Sequence, residues 1–258
     1  MLEVNSIYNM DCLEGMKFIP DQSIDMILCD LPYGTTKCGW DAVIPFDKLW
    51  HEYERIIKNN GAIVLTGQQP FTTDLISSNR KLFRYELIWE KTQKLGFLDA
   101  NRKPLRAHEN ILIFYKKQPV YNPQKTVSET RAKPARKRDS NRYQGYGEVD
   151  GGLYTDDRSR YPHSVLKISN WNGAGFVKNS DRTKHPTQKP VPLFEWLIKT
   201  YTNEGDIVLD NCSGSGTTAI ACIRNNRNYI CIEKNERYYV DSLTRVKSEN
   251  IGLFKHEL

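Results

Sequence analysis

The most informative segment for the fold class combines an apolar run, a glycine-rich turn and a helix-forming sequence: Ile207-Val208-Leu209-Asp210-Asn211-Cys212-Ser213-Gly214-Ser215-Gly216-Thr217-Thr218-Ala219. The apolar run has the length of a buried strand, and the pattern after Gly216 predicts a helix. Glycines in such a turn let the backbone bend sharply and let a ligand approach, while the helix amino terminus offers free N–H groups. This order of strand, turn and helix is typical of a ligand-binding α/β unit.

An acidic residue lies at the end of the next apolar run. Glu233 follows Tyr229-Ile230-Cys231-Ile232, where a carboxylate can accept hydrogen bonds from ribose hydroxyls. Gly214-x-Gly216-x-x-Ala219 also fits the dinucleotide fingerprint. These residues therefore leave open a nicotinamide cofactor, another adenosyl ligand and an ordinary glycine-containing turn.

Strand and helix signals alternate on both sides of a long irregular stretch. Strands are predicted near 4–8, 24–29, 62–66, 85–89, 110–115, 207–209 and 229–232, and helices over 11–18 and 46–57 and from Pro190, Thr217 and about Glu236. Such alternation indicates a mainly parallel sheet with helices on both faces. We expect one α/β domain made of 1–119 and 185–258, with an insertion over 120–184, since a structureless stretch of this length is normally a functional insertion or disordered.

Charge is distributed unevenly along the 258 residues. Lys and Arg number 37 against 31 Asp and Glu, a net charge of +6. Between Lys116 and Arg142 there are nine basic and two acidic residues, so this segment carries +7 and the rest about -1. A concentrated basic segment favours a polyanionic partner such as nucleic acid, although many such segments are solvated loops.

Several protein classes are excluded or disfavoured by composition. A hydrophobic content of 39% is that of a globular protein rather than a fibrous or disordered one. The six cysteines include no C-x-x-C pair and are expected to be reduced. No apolar run approaches a membrane span, and the histidines lack metal-ligand spacing. We therefore expect a cytoplasmic protein with neither a membrane partner nor a metal.

A second motif, Asp30-Leu31-Pro32-Tyr33, follows the apolar run 24–29 directly. Ligand sites gather at the carboxyl ends of strands in an open α/β sheet. Pro32 restricts Leu31 to extended geometry, so the Leu31 carbonyl and the Asp30 carboxylate offer two acceptors to an amino group, and Tyr33 can stack on a base. The same four residues would also suit a plain turn with Asp as cap and Pro as breaker.

Together the motifs resemble those of amino-group DNA methyltransferases. Asp30 to Tyr33 is similar to their Asp-Pro-Pro-Tyr signature, and Asp210 to Thr218 to their S-adenosylmethionine loop, Asp-Pro-Phe-x-Gly-Ser-Gly-Thr-Thr. His185-Pro186-Thr187-Gln188-Lys189-Pro190 resembles a third hallmark. The catalytic motif precedes the basic region and the cofactor motif comes last, which is the order of the family's β group. In this chain Leu31 replaces the usual first proline and Cys212 the usual phenylalanine.

The resemblance implies a Rossmann-like methyltransferase fold, an S-adenosyl-L-methionine cofactor and a set of site residues. Asp30, Leu31, Pro32 and Tyr33 would form the catalytic site, where Asp30 and the Leu31 carbonyl bind the target amino group and Tyr33 stacks on a flipped base. The residues implied for the cofactor are Asp210, Cys212, Ser213, Gly214, Gly216, Thr217, Thr218, Glu233, Thr187, Gln188 and Lys189. No metal is implied.

The predicted reaction is site-specific methyl transfer to the N6 amino group of adenine in double-stranded DNA, with the base flipped out of the helix. The insertion 120–184 would recognise the target, and its cations would contact phosphates: Arg131, Lys133, Arg136, Lys137, Arg138 and Arg142. A homodimer and a cognate restriction endonuclease are further partners that the resemblance admits. The alternatives are N4-cytosine methylation, an RNA target, a nicotinamide oxidoreductase and a non-enzymatic nucleic-acid-binding protein.

Overall fold

The computed structural model describes residues 1–34, 41–130, 136–137, 153–170 and 188–254. The chain forms two compact units, one made of Met1–Asn122 and Ser164–Leu258 and the other of Pro123–His163. The strands are β1 (Ser6–Asn9), β2 (Ile24–Cys29), β3 (Ile57–Gly67), β4 (Phe83–Leu95), β5 (Arg106–Phe114), β6 (Thr126–Val127), β7 (Arg136–Lys137), β8 (Leu153–Tyr154), β9 (Ser159–Arg160), β10 (Val165–Lys167), β11 (Ile207–Asp210) and β12 (Asn228–Glu233). The α-helices are α1 (Cys12–Met16), α2 (Phe46–Ile56), α3 (Phe71–Ser78), α4 (Val191–Tyr201), α5 (Thr217–Arg224) and α6 (Glu236–Phe254).

The larger unit is built on one sheet. Within the described residues the sheet has eight strands in the order β1-β12-β11-β2-β3-β5-β4-β10. Strand β5 is antiparallel to both of its neighbours, and the other adjacent pairs are parallel. The predicted α/β class with a mostly parallel central sheet is confirmed.

Both faces of this sheet are buried. Met26 and Leu28 of β2 belong to an apolar cluster that includes residues of α4 and α5, whereas Ile27 and Cys29 belong to a second cluster with residues of α2 and α3. Successive side chains of a strand point to opposite faces. A strand buried on both sides therefore needs apolar residues at nearly every position, which is the pattern seen in the sequence over 24–29.

Two distant parts of the chain meet at the centre of the sheet. Strand β11 lies beside β2, with Val208 opposite Met26 and Leu209 opposite Ile27. Because the strands are parallel, both end at the same edge of the sheet. The chain leads outward from this pair in opposite directions, to β12 on one side and to β3 on the other, so the pair forms a topological switch point where α/β proteins bind ligands.

Three features depart from the elements predicted from sequence. Strand β3 begins at Ile57 rather than near residue 62, because Ile57 pairs with Ile24 and the chain stays extended through Asn59 and Asn60. The short helix α3 was not predicted. Strand β10 lies within a stretch expected to be irregular, yet it pairs with β4 in the large sheet.

The smaller unit, Pro123–His163, holds two short strand pairs within its described residues. Strand β6 pairs with β9, and β7 with β8, both antiparallel. Buried Asp156 forms an ion pair with Arg160 at 2.7 Å.

Of the cations predicted to contact DNA, Arg136 and Lys137 form β7. The others lie outside the described residues: Arg131, Lys133, Arg138 and Arg142.

Among the described residues no helix is long and apolar enough to cross a bilayer.

Candidate active site

A cavity of about 870 Å³ is lined by residues at the carboxyl ends of four strands of the large sheet. These are Asp30–Tyr33 after β2, the segment 210–215 that begins with the last residue of β11, Glu233 at the end of β12, and Asp11 after β1. A volume of this size is suited to a small-molecule cofactor and part of a substrate. The two motifs singled out in the sequence therefore share one cavity.

The glycine-rich loop requires glycine at two positions. Gly214 and Gly216 have φ angles of +51° and +78°, in the left-handed region that L side chains avoid. A Cβ at Gly216 would also lie 3.0 Å from Cβ of Ser242. Gly216 is the N-cap of α5, so the backbone turns sharply at the cavity and presents the helix amino terminus.

Asp210 stabilises the loop from inside. Its Oδ1 accepts a hydrogen bond from the backbone N–H of Cys212 at 3.1 Å, and its Oδ2 accepts one from the Thr218 hydroxyl. Burial raises the pKa of this carboxyl to about 7. Asp210 lines the cavity, and these bonds fix the loop between β11 and α5.

Glu233 and Ser213 provide polar groups suited to a nucleoside. Glu233 Oε2 accepts from the Gly214 N–H at 2.8 Å and Oε1 from the Asn235 N–H at 2.7 Å, while burial raises its pKa. The carboxylate is thereby oriented, and its remaining lone pairs are available to hydroxyl donors. Ser213 Oγ is buried and has no hydrogen-bond partner among the described residues. An adenosyl cofactor fits these groups.

Cys212 belongs to a cluster of thiols beside the cofactor loop. The pKa of Cys12 is lowered chiefly by a hydrogen bond with Cys212, and the pKa of Cys212 is raised by its hydrogen bonds with Cys12 and Cys29. Cys12 and Cys212 line the cavity, and all three are free cysteines. Thr217, the first residue of α5, is buried, and its hydroxyl donates to the Lys189 carbonyl at 3.5 Å.

Asp30 is held by three side chains. Its Oδ1 accepts hydrogen bonds from the Tyr33 hydroxyl at 2.7 Å and from the Thr66 hydroxyl. Its Oδ2 forms an ion pair with Lys189 Nζ at 2.6 Å. Leu31 is buried and packs in the apolar cluster with α2, while Pro32 lines the cavity. The carboxylate is thus fixed in orientation at the cavity wall.

The Tyr33 ring is packed rather than free to rotate. It stacks on Phe71 of α3 with ring centroids 5.0 Å apart and an angle of 30° between the planes. Its hydroxyl oxygen also lies 2.9 Å from the Thr66 hydroxyl oxygen. Burial and the charge of Asp30 raise its pKa well above the usual value, so the phenol stays protonated and can keep donating to Asp30.

Lys189 lies beside Asp30 and lines the shared cavity. Its Nζ is 2.6 Å from Asp30 and 3.3 Å from Glu109 Oε2. Burial alone would lower the pKa of Lys189, but the carboxylates of Asp30 and Glu109 outweigh it and leave the pKa raised. Gln188 also lines the cavity. Thr187 lies outside the described residues.

Several cavity residues were missed by the sequence analysis. Glu109 and its buried partner Lys91 lie on the β4–β5 hairpin, in segments with no motif. Asp11 is the N-cap of α1 and accepts a hydrogen bond from the Leu13 N–H at 2.9 Å, but its place in the cavity depends on β1 pairing with β12. Only that pairing, between the two ends of the chain, brings it there.

The fold and this cavity define a class of protein. A mostly parallel sheet, a glycine-rich loop at its switch point and an acidic residue ending the next strand form a Rossmann-like fold that binds a nucleoside-containing cofactor. Comparison with known proteins agrees: the model of the N6/N4 DNA methylase family matches residues 24–243. The chain belongs to this DNA methylase family. The predicted family, fold and S-adenosylmethionine-dependent DNA methyl transfer are confirmed, and the oxidoreductase alternative is excluded.

Curated relatives cover nearly all of the chain. It is 27% identical over 262 residues to the type II methyltransferase M1.MboII of Moraxella bovis, covering 92% of this chain and 95% of that one. It is 29% identical to the DNA adenine methyltransferase YhdJ of Escherichia coli K12, covering 95% of this chain and 83% of the relative.

Solved structures share the fold. The M1.HpyAVI–SAM complex has a TM-score of 0.62 and 24% identity, covering 93% of this chain and 98% of that one. The PvuII cytosine-N4-specific DNA methyltransferase has a TM-score of 0.67 and 19% identity, covering 93% and 85%.

Proposed function

We propose that this protein methylates the N6 amino group of adenine in double-stranded DNA. The observation that carries the proposal is the position of Asp30: its carboxylate lines the same cavity as the glycine-rich loop and Glu233. A carboxylate that faces a cofactor site can bind a target amino group next to the methyl donor.

Asp30 and Leu31 would prepare the amino group for attack. Its lone pair is delocalised into the base, so a site that accepts both N–H bonds favours the tetrahedral, nucleophilic geometry. The chemistry that S-adenosylmethionine would supply is an electrophilic methyl group: the nitrogen lone pair would form the new N–C bond, sulfur would keep the S–C electrons, and one amino proton would be released. Asp30, bound to that amino group, would be the carboxylate next to the departing proton. Because Phe71 covers one face of Tyr33, the flipped base would stack on the opposite face.

The cofactor would be held by the loop and by the end of β12. Glu233, oriented by two backbone N–H groups, would accept from the ribose hydroxyls. Buried Ser213 Oγ would bond a polar atom of the cofactor, and Gly214 and Gly216 would let it approach the backbone.

Adenine is favoured over cytosine by the acidic residue at position 30. Cytosine-N4 enzymes more often resemble Ser-Pro-Pro-Tyr there, whereas this chain has Asp30. YhdJ, a relative over nearly the whole chain, is a DNA adenine methyltransferase. N4-cytosine is the second candidate, because PvuII methyltransferase shares the fold and both bases present an exocyclic amine.

The base is tested by expressing the protein in a host without DNA methylation and sequencing the DNA with detection of modified bases. N6-methyladenine in one sequence context supports the proposal. N4-methylcytosine would overturn the choice of base, and unmodified DNA would overturn the assigned activity.

The type II names of relatives such as M1.MboII support a finer proposal on partners. We propose that a restriction endonuclease of the same specificity accompanies this enzyme, and that methylated DNA resists cleavage by that endonuclease.

A homodimer is proposed from the family resemblance. Measurement of the protein's molecular mass in solution tests this proposal.

Replacement of Asp30 should slow methyl transfer. Asp30→Ala removes the acceptor for the amino group, so the single-turnover rate of methyl transfer should fall at least about 100-fold, while the Kd for S-adenosylmethionine measured by calorimetry changes little. Asp47→Asn is the control, because Asp47 is exposed on α2. Wild-type methylation by folded Asp30→Ala would refute the assignment.

A further inference from the structure

Four buried or half-buried charges of alternating sign form a continuous chain at the cavity: Asp30, Lys189, Glu109 and Lys91. Lys189 Nζ bridges Asp30 Oδ2 at 2.6 Å and Glu109 Oε2 at 3.3 Å, and Lys91 Nζ contacts Glu109 Oε1. Lys91, Glu109 and Lys189 are each less than 10% exposed. Burying charges is costly, so such an arrangement calls for a role beyond packing.

The contacts of Asp30 limit how an amino group can bind it. Oδ1 already accepts from Tyr33 and Thr66, whereas Oδ2 faces Lys189. A carboxylate oxygen has two lone pairs, so Oδ2 is the oxygen with capacity left. An amino group that donates to Oδ2 would therefore share it with the Lys189 ammonium or displace it.

Glu109 offers the ammonium a second position. Its Oε2 is buried, accepts no hydrogen bond among the described residues, and lies 3.3 Å from Lys189 Nζ. A charge-assisted hydrogen bond has a length of about 2.8 Å, so a shift of Nζ by roughly 0.5 Å would complete that bond.

We propose that Lys189 is a positioning residue for the methyl acceptor: it orients Asp30, and it yields Asp30 Oδ2 to the target amino group by moving onto Glu109. Glu109 is held in place for this by Lys91. The proposal rests on the proposed binding of the amino group to Asp30, and it gives Lys189 a role on the base side of the cavity in addition to its place in the cofactor segment.

The test uses Glu109→Gln, Lys189→Met and the double variant in the full-length protein. Calorimetry gives the Kd for S-adenosylmethionine, and single-turnover kinetics on DNA give the transfer rate. In Glu109→Gln the ammonium keeps only one carboxylate and yields Oδ2 less readily. We expect the rate to fall about tenfold or more with the Kd within about twofold, and the double variant to regain part of the rate because no cation then competes for Oδ2.

The control is Glu52→Gln, the same change at a partly buried glutamate paired with Arg55 at 2.5 Å; it should leave rate and Kd unchanged. Equal loss of cofactor affinity and rate in Glu109→Gln would assign the pair to the cofactor and overturn the proposal. So would a double variant at least as slow as the product of the single losses, which indicates a structural role only.

A charge-preserving variant covers the case in which Glu109→Gln does not fold. Lys189→Arg keeps the cation, and its guanidinium binds a carboxylate with two parallel bonds, so it should release Asp30 poorly and slow transfer without weakening cofactor binding. A wild-type rate in Lys189→Arg would overturn the proposal. Failure of the proposed function is separate, since that would appear as an active Asp30→Ala variant.

Discussion

At the scale of single residues, Asp210 combines a structural and a ligand-facing position. Its carboxyl is 3% exposed and bonds to the N–H of Cys212 and the hydroxyl of Thr218. The desolvation that raises its pKa to about 7 means that its ionised form is costly in the folded state. The stability of the loop therefore depends on pH near neutrality.

The raised pKa of Asp210 predicts that the free energy of unfolding falls as the pH rises. Its folded pKa of about 7 exceeds the unfolded value of 3.8, so the folded state binds the proton more tightly and stability is lost as pH rises from about 4 through 7. Between pH 5 and pH 8 the contribution amounts to about 3 kcal/mol. Denaturant titrations should show this fall in wild type and a smaller one in Asp210→Asn. Equal pH profiles for the two proteins would contradict it.

Burial of charge is also costly in the cluster at Asp30, but there the buried charges are paired with charges of opposite sign. Lys189 and Glu109 are tolerated inside because each has two counter-charges, Asp30 and Glu109 for Lys189 and Lys189 and Lys91 for Glu109. Removing one partner weakens this compensation, so each charge-removing variant is read beside a measurement of folding.

Among the elements, the turn from β11 to α5 shapes the wall of the cavity at which we propose the cofactor binds. At Gly216 the backbone turns from the direction of β11 to that of α5, and its φ of +78° lies in the left-handed region. The helix α5 then packs its buried face, including Ala219 and Ile220, on the sheet. A side chain at Gly216 would disturb both the turn and its contact with α6.

Gly216→Ala should therefore lower stability more than a glycine replacement at an open turn. The left-handed backbone costs about 1–2 kcal/mol for alanine, and the 3.0 Å approach to Ser242 adds to it. Gly205→Ala is the matched control, because its φ is +83° and a Cβ there meets nothing within 4 Å. Thermal unfolding and calorimetry with S-adenosylmethionine should show the larger loss at Gly216, and equal losses would refute the packing argument.

At the scale of the whole molecule, the charge of the chain is concentrated outside the catalytic unit. The nine basic residues counted between Lys116 and Arg142 fall largely in Pro123–His163, which forms its own compact unit. We propose that this unit, within the insertion 120–184, contacts the DNA and selects its sequence.

Reversal of three of these charges tests that assignment. Arg136→Glu, Lys137→Glu and Arg138→Glu together should weaken DNA binding and reduce the slope of log K against log salt by up to about 3, since each phosphate contact contributes about 0.9. Cofactor affinity should stay unchanged. Reversal of Lys48, Lys81 and Lys247, which are exposed, provides a control of equal charge. Unchanged DNA binding in the first variant would remove this segment from the interface.

Elements whose signals are local could be predicted from the sequence. The apolar run 24–29, the helix that begins after Pro190 and the strand–turn–helix of 207–224 are confirmed, because burial on both faces and glycine geometry are encoded in neighbouring residues. Three motifs in a characteristic order also identified the family correctly.

Tertiary structure alone decided which distant residues form the site. The pairing of β11 with β2 joins Asp210 to Asp30, the pairing of β1 with β12 adds Asp11, and the β4–β5 hairpin adds Glu109. Likewise β10 joins the sheet from a stretch without periodicity. Strand order depends on long-range packing rather than on local pattern, and for this reason the ion pairs of Lys189 could not be predicted from the sequence.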